Sequence, residues 1–384
     1  MPAIVRFSEL SHDQVRTILR TAVDAGVFPG AVLHVRRRGM VWCEAAVGRS
    51  AYPPLGTSVT PQTIYDLASL TKPLATTAAI LHLVQDETLR LDDPLARHLH
   101  ELHGTAIGEA TIWHLLTHSS GLPGWRPFYQ MLTQDAATAG SVTGDRSNAE
   151  RVLQLIRSER LEFVTGERSL YSDLGYMLLG WTVERLSGYT LDVFCQNRLY
   201  HPIGAWPLAF IPRSRTVADI FGPGSVVAPT EQDPWRGRLL EGEVHDENAA
   251  ALGGVAGHAG LFGTAQAVAC VGQAWLDAWN GMPGLLAPDL VRRFVARQTL
   301  IPSSTWAMGW DTPSVSASSA GVHVSPESFG HLGFTGTSMW INPTEQMVVV
   351  LLSNRVHPTR DNEGIKRFRP KIHDVIWDAC RGGL

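Results

Sequence analysis

The fold and the chemistry of this chain are both indicated by residues 66–73, which read DLASLTKP. Ser69 and Lys72 stand three positions apart, nearly one helical turn, so their side chains lie on the same face of a helix. A serine hydroxyl is a poor nucleophile until a neighbouring base takes its proton, and a lysine with a lowered pKa can be that base. A helix that begins at Ser69 also directs a backbone N–H towards a developing oxyanion. The stretch predicts a serine hydrolase that works through an acyl-enzyme, with Ser69 as nucleophile and Lys72 as proton acceptor.

Lysine usage makes this pair more specific than the Ser-x-x-Lys motif alone, which is expected about once by chance in a chain of average composition. The chain contains three lysines and twenty-nine arginines, and Lys72 is the only lysine before residue 366. Arginine cannot give up its proton in a protein, whereas lysine can. The retained lysine therefore indicates proton-transfer chemistry, and a surface lysine on an amphipathic helix is the alternative.

A second segment of interest is residues 166–176, which read GERSLYSDLGY. It places Tyr171 and Asp173 just before a helical pattern. A phenol held between Ser69 and a leaving group can pass a proton in either direction. Considered alone, Tyr171 is more typical of a core tyrosine or of a tyrosine in a capping loop.

A third segment, residues 330–337, reads GHLGFTGT and opens a strand. Glycine in a strand allows a ligand to come close to the backbone, and Gly333 is placed for this role. The N–H of Phe334 is then a candidate second donor to an oxyanion. For His331 the alternative is a histidine whose hydrogen bonds are satisfied within a turn.

Taken together, these segments resemble the motifs of the penicillin-recognising serine hydrolases. That superfamily includes class C β-lactamases, family VIII carboxylesterases and D-alanyl-D-alanine carboxypeptidases. The matching positions are Ser69 with Lys72, Tyr171 with Asp173, and the run from His331 to Gly333. Residues 29–32 and 115–122 also resemble the family, and residues 244–262 are similar to a subgroup of carboxypeptidase-like and muropeptide-amidase-like bacterial proteins.

The resemblance implies a role for each matching residue. Ser69 attacks the substrate, Lys72 and Tyr171 share the proton transfers, and the backbone N–H groups of Ser69 and Phe334 form the oxyanion hole. Water then releases the acyl group. The expected substrate-binding residues are Asp173, His331, Gly333 and Trp310.

The chain departs from the family pattern at two places. The second motif usually ends in asparagine, and the carboxylate of Asp173 should raise the pKa of Lys72. This shifts the base role towards Tyr171, or else requires Asp173 to be protonated. The third motif is often Lys-Thr-Gly, but here His331 and Leu332 replace the lysine and the threonine, which help to hold a substrate carboxylate. We therefore expect weak or absent β-lactamase activity and favour a family VIII-like carboxylesterase. A D-alanyl-D-alanine carboxypeptidase or a muropeptide amidase of cell-wall recycling is the alternative.

The order of strand and helix signals predicts an α+β fold, in which an antiparallel sheet is flanked by terminal helices and a helical lobe is inserted. Strand patterns occur near both ends of the chain and helical patterns fill the middle. The expected parts of this single domain are an α/β lobe of residues 1–60 and 255–384, and a helical lobe of residues 61–254 that includes a long loop over residues 210–248. The final element is expected to be a short helix over Pro370–Ala379.

Composition limits the classes of partner. The chain has 384 residues, of which 44% are hydrophobic and 18% charged, with a formal charge of -4. This balance gives no electrostatic reason to bind nucleic acid or an anionic membrane, so we expect a small-molecule ester or amide as the partner. Four separated cysteines without a CxxC pair fit a reducing compartment, and no signal peptide is recognisable at residue 1, so a cytoplasmic location is expected. No cofactor or metal is expected, and the oligomeric state stays open.

Other functions compete with this interpretation. His114 and His118 have the i, i+4 spacing of zinc ligands, and the segment around His245 together with His258 is a second possible cation site. An α/β-hydrolase is excluded because no Gly-x-Ser-x-Gly elbow occurs in the sequence. A non-catalytic binding protein is the third class, but such relatives typically lose the serine or the lysine. Candidates for an aromatic acyl pocket, which as lone aromatics are more often core residues, are Trp125, Tyr129, Trp235 and Trp310.

Overall fold

The computed structural model describes residues 12–139 and 145–381. Its central feature is a five-stranded antiparallel sheet with the strand order β2-β1-β10-β9-β8. A three-stranded sheet has the order β3-β7-β4, and β5 pairs with β6. The strands are β1 (Gly30–Arg37), β2 (Met40–Gly48), β3 (Tyr65–Asp66), β4 (Leu208–Phe210), β5 (Gln232–Asp233), β6 (Arg238–Leu239), β7 (Leu261–Gly263), β8 (Phe329–Leu332), β9 (Ser338–Asn342) and β10 (Met347–Ser353).

Helices cover both faces of the large sheet and fill the middle of the chain. They are α1 (His12–Asp24), α2 (Ala78–Gln85), α3 (Ile112–Leu116), α4 (Phe128–Ala139), α5 (Asp145–Arg157), α6 (Asp173–Ser187), α7 (Leu191–Cys195), α8 (Val217–Phe221), α9 (Glu247–Ala251), α10 (Ala265–Trp279), α11 (Pro288–Val295) and α12 (Gly364–Arg381). None of the helices in the described ranges has the length and apolar character needed to cross a membrane.

Alternating side chains of the central strands build two hydrophobic layers, as the two-residue period of a strand requires. Leu33 and Leu351 lie in one core cluster with residues of α1 and α12. Val32 and Val350 point to the other face, into the cluster that contains α10 and the helices of the middle region. Because β1 pairs with β10, the two ends of the chain share this sheet, and the predicted α+β class is confirmed.

Two local predictions need adjustment. The final helix begins at Gly364 instead of Pro370, which lies inside it. The segment 210–248 is interrupted by α8, β5 and β6, so it is not a continuous loop. The sequence of residues 11–14, SHDQ, also predicts a helix N-cap at Ser11, which lies outside the described residues. The lobe boundaries at residues 60 and 254 stay a prediction.

The short sheet positions the Ser-x-x-Lys segment. β3 pairs with β7, and one residue later Leu67 N–H donates to the carbonyl of Leu261 at 2.9 Å. The chain then enters a 3₁₀ turn over Ala68–Leu70, a π-helical stretch over Lys72–Thr77 and finally α2. The predicted helix after Ser69 is therefore present but irregular at its start, and π-helical turns are frequent at functional sites.

Candidate active site

The backbone just before Ser69 adopts a conformation that disfavours ordinary residues. Ala68 has a φ of +48°, in the left-handed region that costs a residue with a Cβ roughly 1–2 kcal/mol. The buried carboxylate of Asp66 holds this bend, because one of its oxygens accepts the Ala68 N–H at 2.8 Å. Its other oxygen accepts the N–H of His245 at 2.7 Å. Asp66 thus fixes the serine loop to the segment around His245.

Lys72 is fully buried and has three polar neighbours. Its Nζ lies 3.0 Å from Ser69 Oγ, 3.1 Å from the carbonyl oxygen of His258 and 2.6 Å from Asp173 Oδ1. Burial alone would lower the pKa of Lys72, but the charge of Asp173 and the contact with Tyr171 outweigh burial and raise it. Lys72 is therefore an ammonium at neutral pH, as the carboxylate at position 173 predicted.

Tyr171 lies outside regular secondary structure, two residues before α6 begins at Asp173. Its hydroxyl hydrogen-bonds with both Lys72 and Ser69, and Lys72 Nζ is 4.7 Å from the centre of its ring. Burial raises the pKa of Tyr171, and the Lys72 ammonium offsets part of that increase. Both candidate bases thus hold their protons at neutral pH, and they share one hydrogen-bonded cluster with the nucleophile.

His331 is a neutral and almost completely buried side chain. It is 3% exposed, its Nδ1–H donates to the carbonyl of Leu332 at 2.8 Å, and burial together with the charge of Lys72 lowers its pKa to about 3. The ring centre lies 6.0 Å from that of Tyr171. The third segment thus reaches the site, but it brings no positive charge at position 331.

The loop after β8 is pressed against the serine loop. Thr335 Oγ1 donates to the carbonyl of Asp66 at 2.7 Å, and Thr337 Oγ1 donates to that of Leu67 at 3.0 Å. A Cβ at Gly333 would lie 2.0 Å from Thr337 Oγ1 and 2.4 Å from Leu67 O, so only glycine fits there. These contacts bring Phe334, which lies between Gly333 and Thr335, to the same region as Ser69.

The structure corrects the assignment of Trp310 as a substrate contact. Its side chain is completely buried and packs against Trp275 and Phe329, with ring centres 5.0 and 5.1 Å away. It belongs to the hydrophobic core. The sequence did not reveal this, because an aromatic residue considered alone is compatible both with a core position and with a position that lines a pocket. Tyr129 and Trp235 do meet, with ring centres 4.7 Å apart.

Two aromatic residues, His118 and Trp306, contact Tyr171 although the sequence did not predict these contacts. The ring of His118 lies 4.6 Å from that of Tyr171, and the ring of Trp306 lies 5.5 Å away. His118 Nδ1 accepts the N–H of Ser172 at 3.1 Å, which fixes the loop that carries Tyr171. The family-like segment 115–122 was a signal for His118, whereas nothing in the sequence distinguished Trp306 from other tryptophans.

The histidines considered as metal ligands are engaged in separate contacts. His114 Nδ1 lies 2.8 Å from Thr111 Oγ1, while His118 uses its Nδ1 on Ser172. His245 pairs with Glu231, and His258 pairs with Asp246, each at 2.8 Å. Within residues 12–139 and 145–381 no group of three or more candidate ligands is close enough to hold a metal ion.

Comparison with known proteins gives the family of this chain. The family model described as Beta-lactamase matches residues 15–373, which is most of the sequence. The chain belongs to the beta-lactamase family. It is accordingly a serine hydrolase, and the resemblance inferred from the three short segments is confirmed.

Relatives within the beta-lactamase family carry different names. A protein of Escherichia coli O157:H7, provisionally named D-alanyl-D-alanine carboxypeptidase, is 31% identical over 361 residues, covering 87% of this chain and 80% of the relative. The N-acetylmuramyl-L-alanine amidase of Bacillus subtilis (strain 168) is 32% identical over 385 residues, covering 93% of this chain and 84% of the relative. Among solved structures, EstCE1, a hydrolase with promiscuous acyltransferase activity, matches with a TM-score of 0.73 at 21% identity and covers 95% of this chain and 98% of its own. That likeness concerns the fold.

Proposed function

We propose that this serine hydrolase is a family VIII-like carboxylesterase with weak or no β-lactamase activity. It cleaves the ester or amide bond of neutral substrates through an acyl-enzyme on Ser69. The observation that carries the proposal is the buried, neutral His331, whose pKa of about 3 leaves no positive charge at this position of the third motif. Leu332 also lacks the hydroxyl that would help to bind a carboxylate. A substrate whose recognition depends on a carboxylate at this position therefore loses a charge-assisted hydrogen bond.

In the proposed acylation step, Ser69 Oγ attacks the carbonyl carbon of the substrate. The form that reacts is the one in which the pair of Lys72 and Tyr171 has already lost one proton. This pair then takes up the proton of Ser69, with Lys72 Nζ 3.0 Å from Ser69 Oγ. The substrate carbonyl oxygen becomes an anion beside the backbone N–H groups of Ser69 and Phe334, which stabilise it. As the bond to the leaving group breaks, Tyr171 gives a proton to the departing alcohol or amine.

Deacylation reverses these roles. Water attacks the acyl-serine ester, and its proton passes to the same cluster, which lost one to the leaving group. The ester bond to Ser69 then breaks and the serine recovers its proton. Lys72, held by Asp173 at 2.6 Å, lies next to Ser69 Oγ and the Tyr171 hydroxyl, the two protein oxygen atoms that pass protons during the cycle.

An amidase that cleaves peptidoglycan fragments is the second candidate. The 32% identity to the protein named N-acetylmuramyl-L-alanine amidase favours it. An amide bond between a muramyl group and alanine is not itself next to a C-terminal carboxylate, so its cleavage does not require a cation at position 331. By the same argument the site disfavours a D-alanyl-D-alanine carboxypeptidase, since that substrate ends in a carboxylate.

The nucleophile is tested with a fluorophosphonate probe on the wild type and on Ser69→Ala. We expect the wild type to be labelled and the variant to remain unlabelled with an unchanged far-UV circular dichroism spectrum. Equal labelling of both proteins would show that the nucleophile is a residue other than Ser69. An unlabelled wild type that still binds its ligands would favour the non-catalytic class.

The substrate class is tested by measuring kcat/KM for p-nitrophenyl acetate, nitrocefin, a peptide ending in D-alanyl-D-alanine and a muropeptide under the same conditions. We expect the neutral ester to exceed nitrocefin by at least about 10-fold, because a charge-assisted hydrogen bond contributes about 1.5–3 kcal/mol. Nitrocefin turnover at the rate of the ester would contradict the proposal. Turnover of the muropeptide above that of the ester would favour the amidase.

A further inference from the structure

The peptide unit between Gly333 and Phe334 is held from the side opposite to its N–H. Its carbonyl, that of Gly333, accepts a hydrogen bond from Arg369 Nη2 at 2.9 Å. The N–H of the same unit belongs to Phe334 and is the proposed second donor of the oxyanion hole. In a trans peptide the C=O and the N–H point in opposite directions, so fixing one end fixes the other. In the described part of the chain, no acceptor is hydrogen-bonded to the Phe334 N–H.

Arg369 lies on α12 and is an unusual residue to find in this position. It is 6% exposed, and among the described residues no carboxylate forms an ion pair with it. Its Nη2 also donates to the carbonyl of Thr337 at 2.8 Å, so one guanidinium group joins both ends of the loop from Gly333 to Thr337. Burial and the nearby Arg355 lower its pKa to about 9, which leaves it charged at neutral pH.

Burial of a cation without a carboxylate is unfavourable, so a purely structural role would be filled equally well by a neutral donor. A charged donor does something that a neutral donor does not. It polarises the amide that it contacts, and hydrogen bonds along a chain of dipoles strengthen one another. The N–H at the far end of the Gly333–Phe334 peptide therefore becomes a better donor for a negatively charged oxygen.

A second arginine holds the other side of Phe334. Arg355 Nε donates to the carbonyl of Phe334 at 2.8 Å, and its guanidinium carbon lies 4.4 Å from the centre of the Phe334 ring. The guanidinium also donates to the carbonyl oxygens of Arg360 and Asn362, at 2.6 and 2.8 Å. The two peptide groups that flank the Phe334 Cα thus each accept a hydrogen bond from a guanidinium.

We propose that Arg369 is a positioning residue of the oxyanion hole, which orients and polarises the Gly333–Phe334 peptide so that its N–H stabilises the tetrahedral anion formed on Ser69. This inference rests on the proposed acyl-enzyme function. It assigns to α12, which contributes no side chain to the three motifs, a share in the transition-state stabilisation. The effect should be larger in the transition state than in the bound substrate, because only the transition state carries the full negative charge on the carbonyl oxygen.

The test compares Arg369→Lys and Arg369→Gln with Arg381→Lys as the control. Arg381 is on the same helix and also donates to a backbone carbonyl, that of His323 at 2.7 Å, but it is exposed. For p-nitrophenyl acetate we expect kcat of Arg369→Gln to fall at least about 10-fold with KM within about 2-fold of wild type, as for other oxyanion-hole losses. Arg369→Lys should fall less, because it keeps the charge. Binding of phenylboronic acid, whose adduct with serine is a tetrahedral anion, should weaken in parallel with kcat.

Each outcome of this experiment decides between the alternatives. Unchanged kcat and boronate affinity in a folded Arg369→Gln variant would overturn the inference, and so would a loss in KM alone. A fall in kcat without a fall in boronate affinity would assign Arg369 a merely structural role. If circular dichroism shows that one of the two Arg369 variants is unfolded, the inference is tested on the other. Absence of fluorophosphonate labelling of the wild type would instead refute the proposed function itself.

Discussion

At the scale of single residues, the ion pair with Asp173 controls the protonation of Lys72, the proposed proton acceptor. The 2.6 Å contact places an ammonium and a carboxylate together in a buried environment, where their attraction is stronger than in water. The pKa of Lys72 is raised in consequence, so Lys72 is not a free amine before the reaction. The hydroxyl of Tyr171 contacts both Lys72 and Ser69, so in the proposed mechanism the three groups transfer protons together and the serine has no single base.

Replacing Asp173 by asparagine should therefore move the acidic limb of the pH–rate profile to lower pH. Asp173 raises the pKa of Lys72 and also that of Tyr171, and burial, which lowers the pKa of Lys72, stays in place. Whether Lys72 or Tyr171 must lose a proton for the reaction, its pKa is lower in Asp173→Asn. The loss of a neighbouring charge shifts such a pKa by about 1–3 units. The measurement is kcat/KM for p-nitrophenyl acetate against pH.

The matched control for this profile is Asp289→Asn, whose side chain is 99% exposed and should leave the acidic limb in place. A shift of the limb to higher pH in Asp173→Asn would contradict the argument. So would an unchanged limb in a fully active variant, since the rate would then not depend on deprotonation of Lys72 or Tyr171.

The proximity of the proposed catalytic residues could be predicted from sequence, because the proposed chemistry requires these residue types at this spacing. Ser69 and Lys72 are one helical turn apart, so their proximity follows from local geometry, and the structure has them 3.0 Å apart. The contact of Trp306 with Tyr171 depends on how distant segments pack, and residue spacing in the sequence predicts only local contacts. The prediction of Trp310 as a substrate contact was wrong for the same reason, since Trp310 packs inwards against Trp275.

At the scale of elements, the irregular helix after Ser69 depends on a glycine-containing loop from another part of the chain. Lys72 Nζ and Thr76 Oγ1 donate to the carbonyl oxygens of His258 and Gly257, at 3.1 and 2.6 Å. The side chains of residues 72 and 76 lie one turn apart on one helix face, so the loop is bound at two neighbouring points. Its position is set from the other side by α6, against which Gly257 packs.

Gly257→Ala should lower both stability and activity. A Cβ at this position would lie 2.0 Å from the carbonyl oxygen of Tyr176 and 3.0 Å from the N of Gly180, both backbone atoms of α6. The loop must then move away from α6, and the carbonyl of His258 moves with it relative to Lys72. We expect a loss of about 1–3 kcal/mol in the free energy of unfolding, as for other overpacked sites, together with a fall in kcat. Urea unfolding and esterase assays measure the two effects.

Gly284→Ala is the matched control, since a Cβ there has no atom within 4 Å. It should leave both the stability and kcat close to wild type. Wild-type kcat in Gly257→Ala would show that the carbonyl of His258 does not contribute to the position of Lys72.

At the scale of the whole molecule, the large sheet brings together parts of the active site that lie far apart in sequence. β1 pairs with β10, so a strand that precedes Ser69 is held by one that follows His331. Continuous apolar runs made these strands predictable, because a strand with two buried faces is rich in β-branched and other apolar residues. The start of α12 was not predictable in the same way, because Pro370 is typical of a first helical turn yet lies six residues inside the helix.

The shared sheet also predicts that the site and the fold are lost together. Leu351 is fully buried in β10, within the cluster that joins the sheet to α1 and α12. Leu351→Ala should cost about 2–5 kcal/mol of unfolding free energy, because it leaves a cavity in a rigid layer. The loop from Gly333 to Thr337 contacts the serine loop only while β8 and β9 are in place, so esterase activity should disappear at the same lowered urea concentration as the circular dichroism signal.

An exposed leucine provides the comparison for this experiment. Leu300 is 78% exposed, and Leu300→Ala should stay within about 0.5 kcal/mol of wild type. If Leu351→Ala kept its activity to a higher urea concentration than its circular dichroism signal, the contacts of Thr335 and Thr337 with residues 66 and 67 would not depend on the sheet. Coincident loss by both measurements is expected, since those two threonine hydrogen bonds join the β8–β9 loop of the sheet directly to the backbone that precedes Ser69.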